Sequence, residues 1–273
     1  QAHRLSIDHP ILSNQQLTNI QHMDCQGMRS RVIDISYNAV EENGYLNTID
    51  RICEEATQAI AEGFSFIILS DRFMSKSLIP LSALIACGAV HHHLVRNEQR
   101  TQIGIIVETG EAREVHHHCL LAGYGADAIN PYLAFEALWQ ANKEKLLGEM
   151  YPSEDALVAG YKKGIAKGML KVMAKMGIST LQSYKGAQIF EAVGLAGEII
   201  DKCFCGTASR VQGVNFDVLI DESHRRHTIG YPTKEGDVIS VLNNPGDFHW
   251  RFGGDLHMWN PNTIFNLQIA ARN

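Results

Sequence analysis

Phe64-Ser65-Phe66-Ile67-Ile68-Leu69, the polar loop Ser70 to Ser77, a helical stretch ending at Arg96 and then Ile103-Gly104-Ile105-Ile106-Val107 together decide the fold class. Two short apolar runs, each closed by a polar loop and followed by a helical pattern, read as strands of a parallel sheet. A strand covered on both faces shows a continuous apolar run in place of alternation, as Ile67-Ile68-Leu69 and Ile105-Ile106-Val107 do.

The same rhythm extends outward from these strands. Upstream, Arg31 to Tyr37 alternates as a strand. Leu46, Ile49, Ile52, Cys53, Ala56 and Ile60 then recur at helical spacing until Gly63. Between the two apolar runs, a helix is expected from Pro80 or Leu81 to Arg96, with proline where no amide donor is needed. Downstream, the loop Glu108-Thr109-Gly110-Glu111 leads into a helix from Arg113 to Ala122, which Gly123-Tyr124-Gly125 ends before a strand from Ala126 to Ile129. Residues 142–156 are charged and turn-rich and read as a surface excursion. A helix follows from Ser153 to Ala174, with Lys175-Met176-Gly177 as its terminus. Ile178 to Leu181 is expected to be a fifth strand, then a loop from Gln182 to Gly186 and a helix from Ala187. Beyond Gly206, turn signals such as Asn244-Pro245-Gly246 and Gly253-Gly254 dominate. No internal repeat or low-complexity tract interrupts the βα rhythm.

With 273 residues, 45% of them apolar and 20% charged, the chain has the composition of a globular protein with a sizeable core. A net charge of -6 leaves no basic excess for nucleic acid or an anionic membrane surface, and neither is expected as a partner. No apolar stretch approaches the ~20 residues of a spanning helix. Gln1-Ala2-His3-Arg4 carries no initiator Met and no signal core, and reads as the start of an excised piece. The six cysteines are expected to be free and reduced, as in cytoplasm or plastid stroma; Cys203 and Cys205 alone lie close together, a poor metal signature.

In parallel βα folds, functional groups collect on loops after the carboxyl ends of strands. Those loops hold Ser36, Tyr37, Ser70, Asp71, Arg72, Glu108, Thr109, Glu111, Asn130, Thr180 and Ser183. One face is thus expected to gather Asp71, Arg72, Glu108, Glu111, Arg113 and Lys185, as a site for a polar ligand or the lining of a wet passage. The other reading is that Asp71 and Glu108 pair with Arg72 and Arg113 and cap helices. Two triple-histidine runs, His91 to His93 and His116 to His118, invite a metal. Consecutive helical residues point ~100° apart, so one histidine per run is expected to face the core and no metal is assigned. Gly206-Thr207-Ala208-Ser209-Arg210 reads as an exposed turn, and no nucleophile arrangement or phosphate loop is complete.

Four segments carry a family resemblance. They are Ile68-Leu69-Ser70-Asp71-Arg72, Val107 to His117 (VETGEAREVHH), Gly123 to Tyr132 (GYGADAINPY) and Lys175 to Phe190 (KMGISTLQSYKGAQIF). They resemble the central domain of the glutamate synthase large subunit. The resemblance runs from about His9 to the end, where Gly253-Gly254-Asp255-Leu256-His257 and Trp259-Asn260-Pro261 resemble the entry to a following domain.

The resemblance implies an α/β fold of parallel βα units forming a rudimentary or incomplete TIM-barrel-like domain, over residues 1–213, with 214–273 leading toward an FMN-binding barrel. It also implies a parent polypeptide that makes L-glutamate from L-glutamine and 2-oxoglutarate, with an amidotransferase domain and an FMN-binding domain as partners. FMN and a 3Fe–4S cluster belong to the parent; no catalytic, cofactor or metal residue is assigned in this segment, which is expected to be inactive alone. Its implied role is to hold two active sites in register and wall an ammonia passage, with Ser36 and Tyr37 as leading wall candidates. The other functional reading is an autonomous barrel-like enzyme for an anionic or phosphorylated small substrate.

Overall fold

A computed structural model describes residues 4–148, 153–232, 246 and 249–272. The chain forms two compact units, Gln1–His227 and Thr228–Asn273. In the first, α1 (Asn14–Gln21) precedes β1 (Asp24–Cys25), β2 (Met28–Asp34) and β3 (Ser36–Asn38). The βα rhythm then runs α2 (Gly44–Ala61), β4 (Phe66–Ser70), β5 (Leu78–Pro80), α3 (Ala83–Arg96), β6 (Gly104–Glu108), α4 (Val115–Gly123), β7 (Ala128–Asn130) and α5 (Tyr132–Lys143). After it come α6 (Glu154–Met176), α7 (Leu181–Tyr184), β8 (Glu191–Leu195), α8 (Gly197–Cys203), β9 (Ala208–Val214) and α9 (Phe216–Gly230).

The main sheet has the order β1-β2-β4-β6-β7, with β2, β4, β6 and β7 parallel and sequential. Ile67, Ile68 and Leu69 are fully buried, which accounts for the unbroken apolar run of β4. Alternate residues divide between two cores. Ile33, Ile67, Leu69, Ile105 and Val107 pack with α2 and α3 in the large cluster, whereas Ile68, Ile106 and Ala128 face Leu17 and Ile20 of α1 on the other side. A third cluster joins α4, α5 and α6 through Cys119, Phe135, Ile165, Met169 and Met173.

Local chemistry fixes the ends of several elements. Ser13 accepts from the Gln16 amide while the Gln16 side chain accepts from the Ser13 amide, a capping box that starts α1. Ser153 caps α6, and Gly177, with φ 70°, closes it in the left-handed conformation. Gly88 lets α3 approach α8 closely. A Cβ there would lie 2.9 Å from the Phe204 ring and nearer still to the Cys203 carbonyl.

Four readings of the sequence are corrected. Pro80 belongs to β5, paired antiparallel with β3, and does not begin α3, whose N-cap position is Ser82. Ile178 to Leu181 is not a strand; Thr180 caps α7 by accepting from the Ser183 amide. The segment after Ala187 is extended and becomes β8, not a helix. Gly206 to Arg210 leads directly into β9, which pairs parallel with β8 and with α8 forms one more βα unit apart from the main sheet. Asn244 and Pro245 lie outside the described residues. In the second unit, α10 (Pro261–Arg272) begins with Asn260 Oδ1 accepting from the Thr263 amide and proline at the first helical position.

Candidate functional site

The register of the sheet places Asp34, Ser70, Glu108 and Asn130 side by side at the carboxyl ends of its four parallel strands. They share a face with Val32, Ile68, Ile106 and Ala128 two residues earlier, because side chains alternate along a strand. The face changes from apolar to polar at this row, and there a cleft of about 520 Å³ opens. Ser70, Glu108 and Asn130 form its floor, Arg72 and Phe73 one side, and Asn14, Thr18, Gln21 and His22 of α1 the other.

The floor is buried and tightly bonded. Ser70 Oγ donates to Glu108 Oε2 at 2.6 Å, and Arg72 Nε donates to Glu108 Oε1 at 2.8 Å. The Arg72 guanidinium also lies 3.9 Å from the Tyr132 ring centroid, a cation–π contact that holds it over the cleft wall. Asn130 Nδ2 donates to the Leu12 carbonyl and to Asn14 Oδ1, both at 3.0 Å, tying the strand end to the start of α1. Its Oδ1 is buried and has no hydrogen-bond partner among the described residues.

Asp71 and Thr109 lie behind this floor. Asp71 Oδ2 accepts from Thr109 Oγ1 at 2.7 Å and from the Gly110 amide at 2.8 Å, locking the β4 loop to the β6 loop. Burial pushes the Asp71 carboxyl up, against the pull of those two donors. Glu111 turns away to α3, where its Oε2 accepts from the Ala83 amide and Ser82 Oγ and serves as the cap of that helix.

Of the candidates on strand-end loops, the cleft thus unites Ser70, Arg72, Glu108 and Asn130, with Asp71 and Thr109 beneath them. Arg72 pairs with Glu108, and Asp71 bonds to Thr109 and Gly110, so the structure departs from the expected pairing of Asp71 and Glu108 with Arg72 and Arg113 at helix N-termini. Ser36 and Tyr37 occupy β3 on the α2 side, where the Tyr37 ring packs on Tyr45 and His224. Ser36 Oγ is buried without a hydrogen-bond partner among the described residues. Thr180 and Ser183 sit at the start of α7, away from the carboxyl edge, and Lys185 just beyond pairs with Asp127 at the amino end of β7. Sequence reading missed α1, whose Asn14, Thr18, Gln21 and His22 complete the cleft. The S-x-x-Q pattern at Ser13 was the available signal.

One histidine per run is buried, His91 and His118. His118 Nε2 lies 2.8 Å from Tyr161 Oη, which donates onward to the Arg113 carbonyl. The imidazole proton therefore sits on Nε2, and burial holds the ring's pKa down to about 3. Among the described residues, no group of three or more His, Cys, Asp or Glu side chains is arranged to hold a metal.

Comparison with known proteins places these features in a family. The glutamate synthase central domain model matches residues 1–196. The chain belongs to that family. The glutamate synthase [NADH] of Schizosaccharomyces pombe is 45% identical over all of this chain, which spans 13% of that relative. The glutamate synthase [NADPH] large chain of Bacillus subtilis is 44% identical over 98% of the chain and 17% of its own length. The ferredoxin-dependent glutamate synthase of Pyropia yezoensis is 38% identical over 82% of the chain and 15% of its own length. A glutamate synthase central domain is thus a small part of the relatives it matches. Among solved structures, a flavocytochrome b2 aligns with 78% of the chain and 43% of its own, at 13% identity and a TM-score of 0.39, too distant to bear on the fold. No helix among the described residues is long and apolar enough to cross a membrane.

Proposed function

We propose that the chain is the central scaffold segment of a glutamate synthase, an oxidoreductase that makes L-glutamate from L-glutamine and 2-oxoglutarate with electrons from a nicotinamide or ferredoxin. The carrying observation is the family match over residues 1–196 in a chain that spans 13–18% of its relatives. The amidotransferase and FMN-binding domains of the same polypeptide are its partners, in cytoplasm or plastid stroma. Residues 1–213 form the central domain, and 214–273 lead toward the FMN-binding barrel.

The sheet is a partial barrel wall in this reading. Its parallel strands are sequential, with α2 and α3 on one face and the short α1 on the other, as a barrel wall would be, whereas a doubly wound sheet reverses its strand order. The exposed edge of the wall is the polar cleft. Its donor set does not suit FMN, because the Glu108 carboxylate at the floor and Asp71 behind it repel a phosphate. FMN and the 3Fe–4S cluster are therefore assigned to the parent outside this segment.

The role of the segment is to space two active sites and to wall the ammonia passage. Ser70, Glu108 and Asn130 are its wall at the cleft, and Ser36 and Tyr37 on the flanking strand pair. Hydroxyl and amide groups hydrogen-bond neutral ammonia without holding it as a free charge would. The test is Val32→Phe in the full-length protein. Val32 lines the cleft and is 38% exposed, so a larger ring fills the cleft without entering the core. Glutamine-dependent synthesis is expected to fall more than synthesis supported by external ammonia. Ser36→Phe, checked by melting because the site is closed, examines the other wall. Equal loss of both activities in stably folded variants, or no loss in either, rules out the passage.

A further inference from the structure

Outside helices α3 and α4, at the amino end of β7, lies a second cavity of about 410 Å³ that the scaffold role does not use. Its walls are His91, His92 and Val95 of α3, Tyr124 after α4, and the segment from Tyr184 to Phe190. Wall side chains rest on bare glycine backbone. A Cβ on Gly123 would lie 2.6 Å from the Phe190 ring, and one on Gly125 or Gly206 would lie under 3.0 Å from His91 or Gln188. Gln188 itself is held at φ 52°, a left-handed conformation that costs of order 1–3 kcal/mol in a residue with a side chain. Close-fitted glycines and a strained residue around one cavity are more than the packing of a loop demands.

The chemistry of the walls defines a ligand. Tyr124 and Phe190 stack, with centroids 5.8 Å apart and planes 26° from parallel, and give the cavity an aromatic wall. Beside it, Arg100 and Lys185 both pair with Asp127, so two cations meet one carboxylate and a net positive charge remains. Lys185 lines the cavity, and an ammonium has three donors of which Asp127 takes one. His91 Nδ1 accepts from Arg100 Nε at 3.0 Å; because a guanidinium only donates, the imidazole proton must sit on Nε2. His92 Nε2 is buried with no hydrogen-bond partner among the described residues.

We propose that this cavity binds a small aromatic or heteroaromatic carboxylate, its ring against Tyr124 and Phe190 and its carboxylate held by the Lys185 ammonium and the His91 Nε2–H. The site lies entirely within the first unit and does not depend on the ammonia passage, so the two proposals fail independently.

Benzoate is the probe, added to the 273-residue chain and followed by saturation-transfer NMR and calorimetry. Cyclohexanecarboxylate has the charge without the flat ring, and benzyl alcohol the ring without the charge. Benzoate is expected to bind saturably with a Kd near ~1 mM, and each control at least tenfold more weakly. Val95→Phe fills the cavity from a half-exposed position and is expected to abolish binding with an unchanged melting temperature. Lys185→Gln is expected to weaken binding tenfold or more, and should it unfold the chain, Val95→Phe decides. The proposal is overturned if benzoate does not saturate, if either control binds as well, or if binding survives Val95→Phe.

Discussion

Acid should unfold this protein through two histidines, one from each triple run. His91 and His118 are buried, and burial holds each pKa to about 3. At His91, the charges of Arg100, His92 and Lys185 push further down, while Asp127 opposes them. In the unfolded chain both titrate near ~6.5. Between those values the unfolded state binds protons that the folded state refuses, so stability falls as pH drops below ~6.5 and continues to fall toward ~3. At pH 4 the difference per histidine is ~2.5 log units, or about 3 kcal/mol, and about 6 kcal/mol for the two together. That is comparable to the whole folding free energy of a typical domain, about 5–15 kcal/mol.

Other groups shift the slope in known directions. His9, His92, His93 and His117 are also lowered by burial and add the same sign. Burial alone would raise Asp127, but Arg100 and Lys185 hold its carboxyl low, so it too loses stability as pH falls through its folded value. Asp71, raised by burial, works the other way and regains stability on acidification. Two variants isolate the histidines. His91→Asn keeps an acceptor for Arg100 Nε, and His118→Gln keeps a donor for Tyr161 Oη. Urea unfolding followed by circular dichroism from pH 7 to pH 4 should show the wild-type midpoint falling steeply, and each variant losing about 3 kcal/mol of that dependence. A variant that is folded at pH 7 yet keeps the wild-type pH slope refutes the argument for that site.

Two further perturbations test the packing and the cleft. Gly88→Ala should destabilise by about 1–3 kcal/mol, because a Cβ collides with the backbone carbonyl of Cys203, which cannot yield as a side chain can. That outweighs the ~1 kcal/mol that alanine gains over glycine in a helix, and a raised melting temperature would show the approach to be looser than described. Ser70→Ala and Glu108→Gln should be non-additive by about 1–2 kcal/mol in a double-mutant cycle, since their 2.6 Å hydrogen bond is buried and charge-assisted. Additivity within about 0.5 kcal/mol would mean that the floor is not a coupled unit.

The parts of the fold legible in the sequence are those whose local chemistry and burial agree. β4 and β6 announce themselves as apolar runs because both faces are covered, and α2 because Ile49, Ile52, Cys53 and Ala56 recur toward one core. Capping signals at Ser153 and Gly177 place α6 to within two residues. The misreadings have equally local causes. Ile178-Ser179-Thr180-Leu181 alternates like a strand, but Gly177 has just closed a helix and Thr180 opens another, so no length remains for a strand. Pro80 resembles a first helical residue, yet a two-stranded antiparallel pair has a free edge that tolerates a proline without an amide donor. α1 shows only Leu17 and Ile20 to the core in eight residues, too sparse a stripe for periodicity to reveal.

The strand-end residues at the cleft were legible for a different reason, and the same reason explains which candidates lie elsewhere. A strand covered on both faces should end where its side chains turn polar, and a polar side chain at that point is buried at a cost unless it is bonded. Ser70, Glu108 and Asn130 stand two residues beyond Ile68, Ile106 and Ala128, so the end of each apolar run marks the floor. What the runs cannot state is register, and register alone sets Ser70 against Glu108 and Glu108 against Asn130. Thr180 and Ser183 went astray because no strand precedes them. Glu111 went astray because the N-terminus of α3 competes for its carboxylate and supplies two donors. Once those bonds are assigned, the Asn130 side-chain oxygen remains buried without a hydrogen-bond partner among the described residues. The polar ends of three apolar runs and the start of α1 therefore meet at one cleft, because register aligns the strand ends and Asn130 Nδ2 ties them to Leu12 and Asn14.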